Sequence, residues 1–177
     1  MAGGRSLDPS RVSLVVNRLV ALSPSGPTSS ERDGLFVAEE SRAAVVAWLR
    51  LLCCPVLNPP RAASLSGPLL SVPEWRSLAH RFGFHCLPWS SDDASGPRQS
   101  NVLCVGNRVI DQASVLPREM HAAVTAMARY VGAPLLGLTY DPTTEGPIFI
   151  DADPFPSLLP AGSAVVEAIE HVALEVR

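Results

Sequence analysis

A chain of 177 residues with 47% apolar side chains and few aromatics has room for one domain with a real core, or for two small lobes sharing one. Its net charge of -3 is spread along the sequence without a basic stripe, which removes the electrostatic footprint of a nucleic-acid binder. No apolar run reaches the roughly 18 residues of a membrane span, and MAGGRSLDPS lacks a signal-peptide core, so a cytoplasmic protein with protein or small-molecule partners is expected.

Residues 1 to 10 read as a loose tail. Val12 to Leu22, dense in β-branched and long apolar residues, has the length and flanks of a buried strand. The Pro/Gly/Ser loop that follows ends at Ser30, which can cap a helix with Asp33 three residues on. Leu35, Ala38, Val45, Trp48, Leu49 and Leu52 recur at helical spacing and predict one buried face, closed before Pro55. A short strand at Pro55 to Asn58 precedes Pro59 and Pro60. Ser71, Pro73 and Glu74 then form a helix-start signature, with Trp75, Leu78, Ala79 and Phe82 inward and Gly83 at the C-terminal stop. Phe84 to Pro88 completes a strand, helix, strand, helix, strand order, the pattern of a small parallel sheet.

Residues 90 to 100 are polar and Gly/Pro-rich and read as a linker between residues 1–89 and 101–177. Gly106-Asn107 joins Asn101–Val105 to Arg108–Asp111 as a tight hairpin. Met120, Ala123, Val124, Met127 and Val131 share a helix face that reads as core, and Gly132 ends the helix. Leu135–Tyr140 and Pro147–Asp153 are expected to pair antiparallel across DPTTEG. A last helix from about Ser163 should turn Val165, Val166, Ile169, Val172 and Val176 inward. The fold class expected is therefore α/β, a small parallel sheet followed by an antiparallel α+β lobe.

Chemistry-bearing residues are sparse. Four cysteines, at 53, 54, 86 and 104, form no CxxC pair, and Cys53-Cys54 reads as small buried apolar residues. All 14 basic residues are arginine, in an Ala-, Pro- and Arg-rich composition of bacterial character, which excludes any catalytic or phosphate-holding lysine within these 177 residues. His80, His85, His121 and His171 stand at no ligand spacing, and no GxSxG, GxGxxG or GxxxxGK[ST] motif occurs. Asp151 and Asp153, two apart on a strand, project to one face and with Asp141 or Glu145 could hold Mg²⁺; the competing reading is a solvated strand end. Arg18 and Arg108 sit in or beside apolar strands, where an arginine needs an anion or a carbonyl cluster.

On these residues the chain resembles the ATP-grasp ligases. The first half resembles the lobe that precedes the grasp domain. VLCVGNRVI is similar to that family's VxxVGxRV, and MHAAVTAMARYVGAPLLGLTYDPTTEGPIFIDADPFPSL to its closing helix, LGxD and ExNxxP strand. The resemblance places Asp151 at the metal-binding glutamate and Asp153 at the metal-binding asparagine, while Thr139 replaces the aspartate of LGxD. Little chain remains between these segments for a nucleotide-binding lobe. The resemblance thus implies an accessory or scaffold protein, a non-catalytic relative without cofactor, acting through a protein partner or a homo-oligomer. The alternative it implies is an ATP-dependent carboxylate ligase that completes its site across an interface, with Asp151 and Asp153 on Mg²⁺ and Arg108 on the phosphates of ATP.

Overall fold

A computed structural model describes residues 8–22, 30–61, 64–86, 99–143 and 146–175. The expected class is found among the described residues: a two-stranded parallel sheet, and a separate five-stranded mixed sheet that is largely antiparallel, with four α-helices. In the first unit, β1 (Val15–Val16) pairs in parallel with β2 (Val56–Leu57). The strand expected over Val12 to Leu22 shortens to two residues because only β2 lies beside it.

Between them runs α1 (Glu31–Leu51). Its start is the expected one: the Asp33 amide donates to Ser30 Oγ at 3.1 Å. Its buried face is not. Leu49 alone is fully buried, whereas Leu35 and Trp48 are exposed, because the first unit offers too little surface to cover a 21-residue helix. Cys53 is likewise exposed and Cys54 half-buried, so the pair does not behave as core.

Helix α2 (Val72–Arg81) begins at the expected cap, where the Ser71 amide donates to Glu74 Oε2 at 2.7 Å, and it buries Trp75 and Ala79. These hydrogen bonds, from the Ser71 hydroxyl and then its amide, hold the Glu74 carboxyl below its ordinary pKa. The strand that follows, β3 (His85–Cys86), corrects the expected three-stranded parallel sheet. It leaves the first unit and pairs in parallel with β7 (Gly146–Asp153) at the edge of the larger sheet. The linker expected at 90–100 falls outside the described residues except for 99 and 100.

The larger sheet has the order β3-β7-β6-β4-β5, with β4 (Ser100–Val105), β5 (Arg108–Ile110) and β6 (Leu135–Thr143) all antiparallel to their neighbours. The β6–β7 hairpin is longer than expected: pairing continues to Thr143 and Gly146, so part of DPTTEG is strand. Side-chain alternation gives the sheet two apolar faces. Val102, Cys104, Leu136, Leu138, Tyr140 and Phe149 meet α2 and α3 (Arg118–Val131), where Met127 is fully buried as core. Leu103, Val105 and Leu135 meet α4 (Gly162–Glu175) through Val165 and Val172, while Val166 is exposed and Val176 lies outside the described residues. A Cβ on Gly106 would stand 2.6 Å from Val172 Cγ2, so the hairpin glycine also admits α4. Helix α4 covers only one end of its face; the other end stays open.

Candidate functional site

The open end is built by the middle of three strands. Register opposes Thr139 to Asp151 and Gly137 to Asp153 across β6 and β7, and Asn101 to Thr139 across β4 and β6. These residues share one face, since Leu138 and Ala152 between them are buried on the other. Thr139 Oγ1 lies 2.8 Å from Asn101 Oδ1. The expectation that both aspartates project together therefore holds, and both are exposed.

A cleft of about 400 Å³ occupies this end, lined by Asn101, Thr139, Gly137, Asp153 and Ser157 among others. Gly137 is required here by close approach: a Cβ would stand 2.7 Å from Pro156 Cβ, the residue that forms one wall. Both carboxylates are partly turned onto their own backbone. Asp151 Oδ1 accepts from the Ala152 amide at 2.8 Å, and Asp153 Oδ1 accepts from the Phe155 amide at 2.7 Å.

The first unit fixes the chain beyond the aspartates. Asn58, fully buried and held at φ 55°, donates from Nδ2 to the carbonyls of Leu135 at 2.7 Å and Pro154 at 2.6 Å, and its Oδ1 accepts from the Leu135 amide at 2.9 Å. Asn17 in turn donates to the carbonyls of Asn58 and Leu65, and Ser66 Oγ donates to the carbonyl of Asn17. Of the two partners open to Arg18, an anion or a carbonyl cluster, it takes the second, donating from Nη2 to the carbonyls of Pro156 at 2.9 Å and Phe155 at 3.2 Å. The small parallel sheet thus works as a clamp on residues 154–156.

Not every predicted residue converges. Arg108 is exposed on β5, three strands from β7, a lateral separation of roughly 14 Å at the usual strand spacing. Asp141 stands further toward the hairpin, opposite Ile148, and Glu145 lies outside the described residues. Among the described residues no group of three or more His, Cys, Asp or Glu could hold a metal ion. Two carboxylates on one face still match the protein share of a Mg²⁺ site, whose other positions water or phosphate can fill. A nucleotide fits less well, because no cationic side chain is among the described residues lining the cleft. Asn101, Gly137 and Asn58 were missed from sequence, because each role depends on a strand or loop that meets it only in space.

No helix among the described residues is long and apolar enough to cross a membrane. No family model matches the sequence, and no curated protein matches it. Solved structures do match. The macrocyclase MdnC from Microcystis aeruginosa MRC, bound with precursor peptide MdnA, superposes with a TM-score of 0.69 at 12% identity, over 99% of this chain and 82% of that one. The ATP-grasp ligase PsnB, complexed with a phosphomimetic variant of minimal precursor, Mg and ADP, matches at 0.61 and 13%, over 89% and 78%. The macrocyclase MdnB, also from Microcystis aeruginosa MRC, matches at 0.58 and 14%, over 96% and 73%. The chain therefore has an ATP-grasp-like fold.

Proposed function

We propose that this protein is a non-catalytic ATP-grasp-like accessory or scaffold protein, and that its open sheet face receives a segment of a polypeptide partner. The observation that carries the reading is the chemistry of the cleft. Asp153 is its one charged side chain among the described lining residues, beside the amides and hydroxyls of Gln99, Ser100, Asn101, Gln112, Thr139 and Ser157. A triphosphate carries several negative charges and needs cations or oriented amides around it. A peptide needs paired donors and acceptors and a few apolar walls, which Leu103, Ile110 and Pro156 supply. Of the neighbours with the same fold, MdnC was solved with precursor peptide MdnA and PsnB with its minimal precursor, which supports a polypeptide as the occupant.

A photo-crosslinking residue at Ser157, on the cleft rim, should capture a polypeptide from native extract, whereas the same residue at exposed Glu119 on α3 should not. Equal capture from both positions, or none from Ser157, would remove the reading. The second reading, a carboxylate ligase whose Mg-nucleotide site is completed by another chain, is favoured by one observation: Asp151 and Asp153 still present oxygens on the same exposed face. It requires the other chain to bring the phosphate-binding cations, with Arg108 as this chain's own contribution.

A further inference from the structure

Helix α1 ends at Leu51, and the chain bends through Cys53 and Cys54 before Pro55 leads it into β2. On a strand, neighbouring side chains part to opposite faces; in this bend they are not forced apart, and both cysteines line one cavity of about 350 Å³. Pro55 narrows the freedom of the pair, because the residue before a proline is held to extended backbone. Ser10, Arg11 and Ser13 supply another wall of the cavity. That segment is tied to the cysteines: the Val15 amide donates to the Pro55 carbonyl at 2.9 Å, and β1 then pairs with β2 at Val15 and Val56. Arg11 is the one charged side chain among the described lining residues.

Distances decide what two adjacent thiols can do. A disulfide needs Cα atoms roughly 4.4 to 6.8 Å apart and a fixed torsion about its S–S bond, whereas neighbours across a trans peptide stand at about 3.8 Å, so closing one strains the backbone. Both cysteines are free thiols. A metal ion between the sulfurs lifts both demands, since two thiolate bonds of about 2.3 Å let the sulfurs stand roughly 4 Å apart with no S–S torsion.

The donor set selects the ion. Among the described residues no group of three or more His, Cys, Asp or Glu could hold a metal, so the cavity offers two protein ligands, and both are sulfur. Structural zinc takes four ligands, and hard ions take oxygen. A soft monovalent ion of the copper(I) class is the one that thiolates select without a larger ligand set. Two thiolates around such an ion leave one negative charge in excess, and the Arg11 guanidinium brings the opposite charge to the same cavity.

We propose that Cys53 and Cys54 hold one soft monovalent metal ion, copper(I) in class, between their two thiolates, with Arg11 balancing the charge. The proposal rests on no part of the reading given above for the acidic cleft.

Copper(I), titrated without oxygen into the whole protein in competition with a chromogenic copper(I) chelator, tests it. The unaltered chain should withdraw one ion per molecule. Cys53→Ser and Cys54→Ser should each abolish that withdrawal, while Cys86→Ser, on β3, should retain it; circular dichroism should be unchanged in all three, since Cys53 is exposed and Cys54 and Cys86 are only half-buried. Arg11→Ala should weaken retention about tenfold at the same stoichiometry, as expected of a group beside the metal and not on it. Zn²⁺ offered in place of copper should not be held against a zinc chelator. A chain that withdraws no ion, retention that survives both serine substitutions, an Arg11→Ala variant that binds as the original does, or zinc held as tightly as copper would overturn the proposal.

Discussion

Replacing Asn58 with alanine should cost more than any other polar substitution among the described residues. The side chain makes three hydrogen bonds, to the Leu135 amide and carbonyl and to the Pro154 carbonyl, all in a fully buried setting. Alanine leaves one donor and two acceptors without partners, and each orphaned buried group costs about 1 to 3 kcal/mol. Alanine at φ 55° adds roughly 1 kcal/mol of backbone strain that asparagine tolerates better. The total is about 4 to 6 kcal/mol when part of the loss is relieved by local relaxation, a large share of the 5 to 15 kcal/mol typical of a domain. Urea unfolding followed by circular dichroism should show it as a fall in midpoint at constant slope. Asn58→Gly restores the backbone freedom and should recover only the strain portion. A loss below about 1 kcal/mol for the alanine variant would refute the argument that this side chain joins the small sheet to the large one.

Gly137→Ala should displace Pro156, because the added carbon needs space that the ring occupies, and the expected cost is about 1 to 3 kcal/mol in thermal or urea unfolding. Cys53 should react with a thiol reagent in the native state at a free-thiol rate, while Cys104 should react only on unfolding, as mass spectrometry of partially labelled protein would reveal. Burial pushes the Cys104 thiol from its ordinary 9.0 up to about 11. The folded protein then keeps a proton that the unfolded chain loses, so stability should fall as pH rises from 9 to 11, and Cys104→Ala should flatten that fall. The depressed Glu74 carboxyl has the opposite sign. Its contribution is present above the ordinary carboxylate range and lost as pH drops through the lowered value, so amide exchange at Ser71 should accelerate in acid and match that of Glu74→Gln.

Local signals carried most of the helices and hairpins into view. Ser30 and Ser71 announce helix starts, Gly132 at φ 63° ends α3, and the Gly106-Asn107 turn sets the register of β4 against β5. The inward face of α1 was misread because Leu35 and Trp48 are apolar at helical spacing, and periodicity reports which side chains dislike water without reporting whether anything covers them. The pairing of β3 with β7 joins residues more than sixty positions apart, and nothing in FHCLP distinguishes a third strand of one sheet from an edge strand of another. Arg18 was legible as needing an anion or a carbonyl cluster; that it takes the carbonyls of Phe155 and Pro156 follows only from their approach in space. Asn58 looked like a strand-ending residue before two prolines; that it is the buried link between the sheets depends on the approach of Leu135 and Pro154 in space. At the site, the shared face of Asp151 and Asp153 follows from strand alternation alone, whereas the separation of Arg108 from them follows from a strand order that sequence neighbours do not encode.

The central claim is that the acidic pair serves a surface for a polypeptide and is not half of a self-contained nucleotide site. Calorimetric titration of Mg-ATP into the full chain, with Asp151→Ala/Asp153→Ala in parallel, tests it most directly. The account predicts no saturable heat that depends on the two aspartates. Tight binding of Mg-ATP to the unaltered chain, lost in the double variant while the fold is retained, would contradict it.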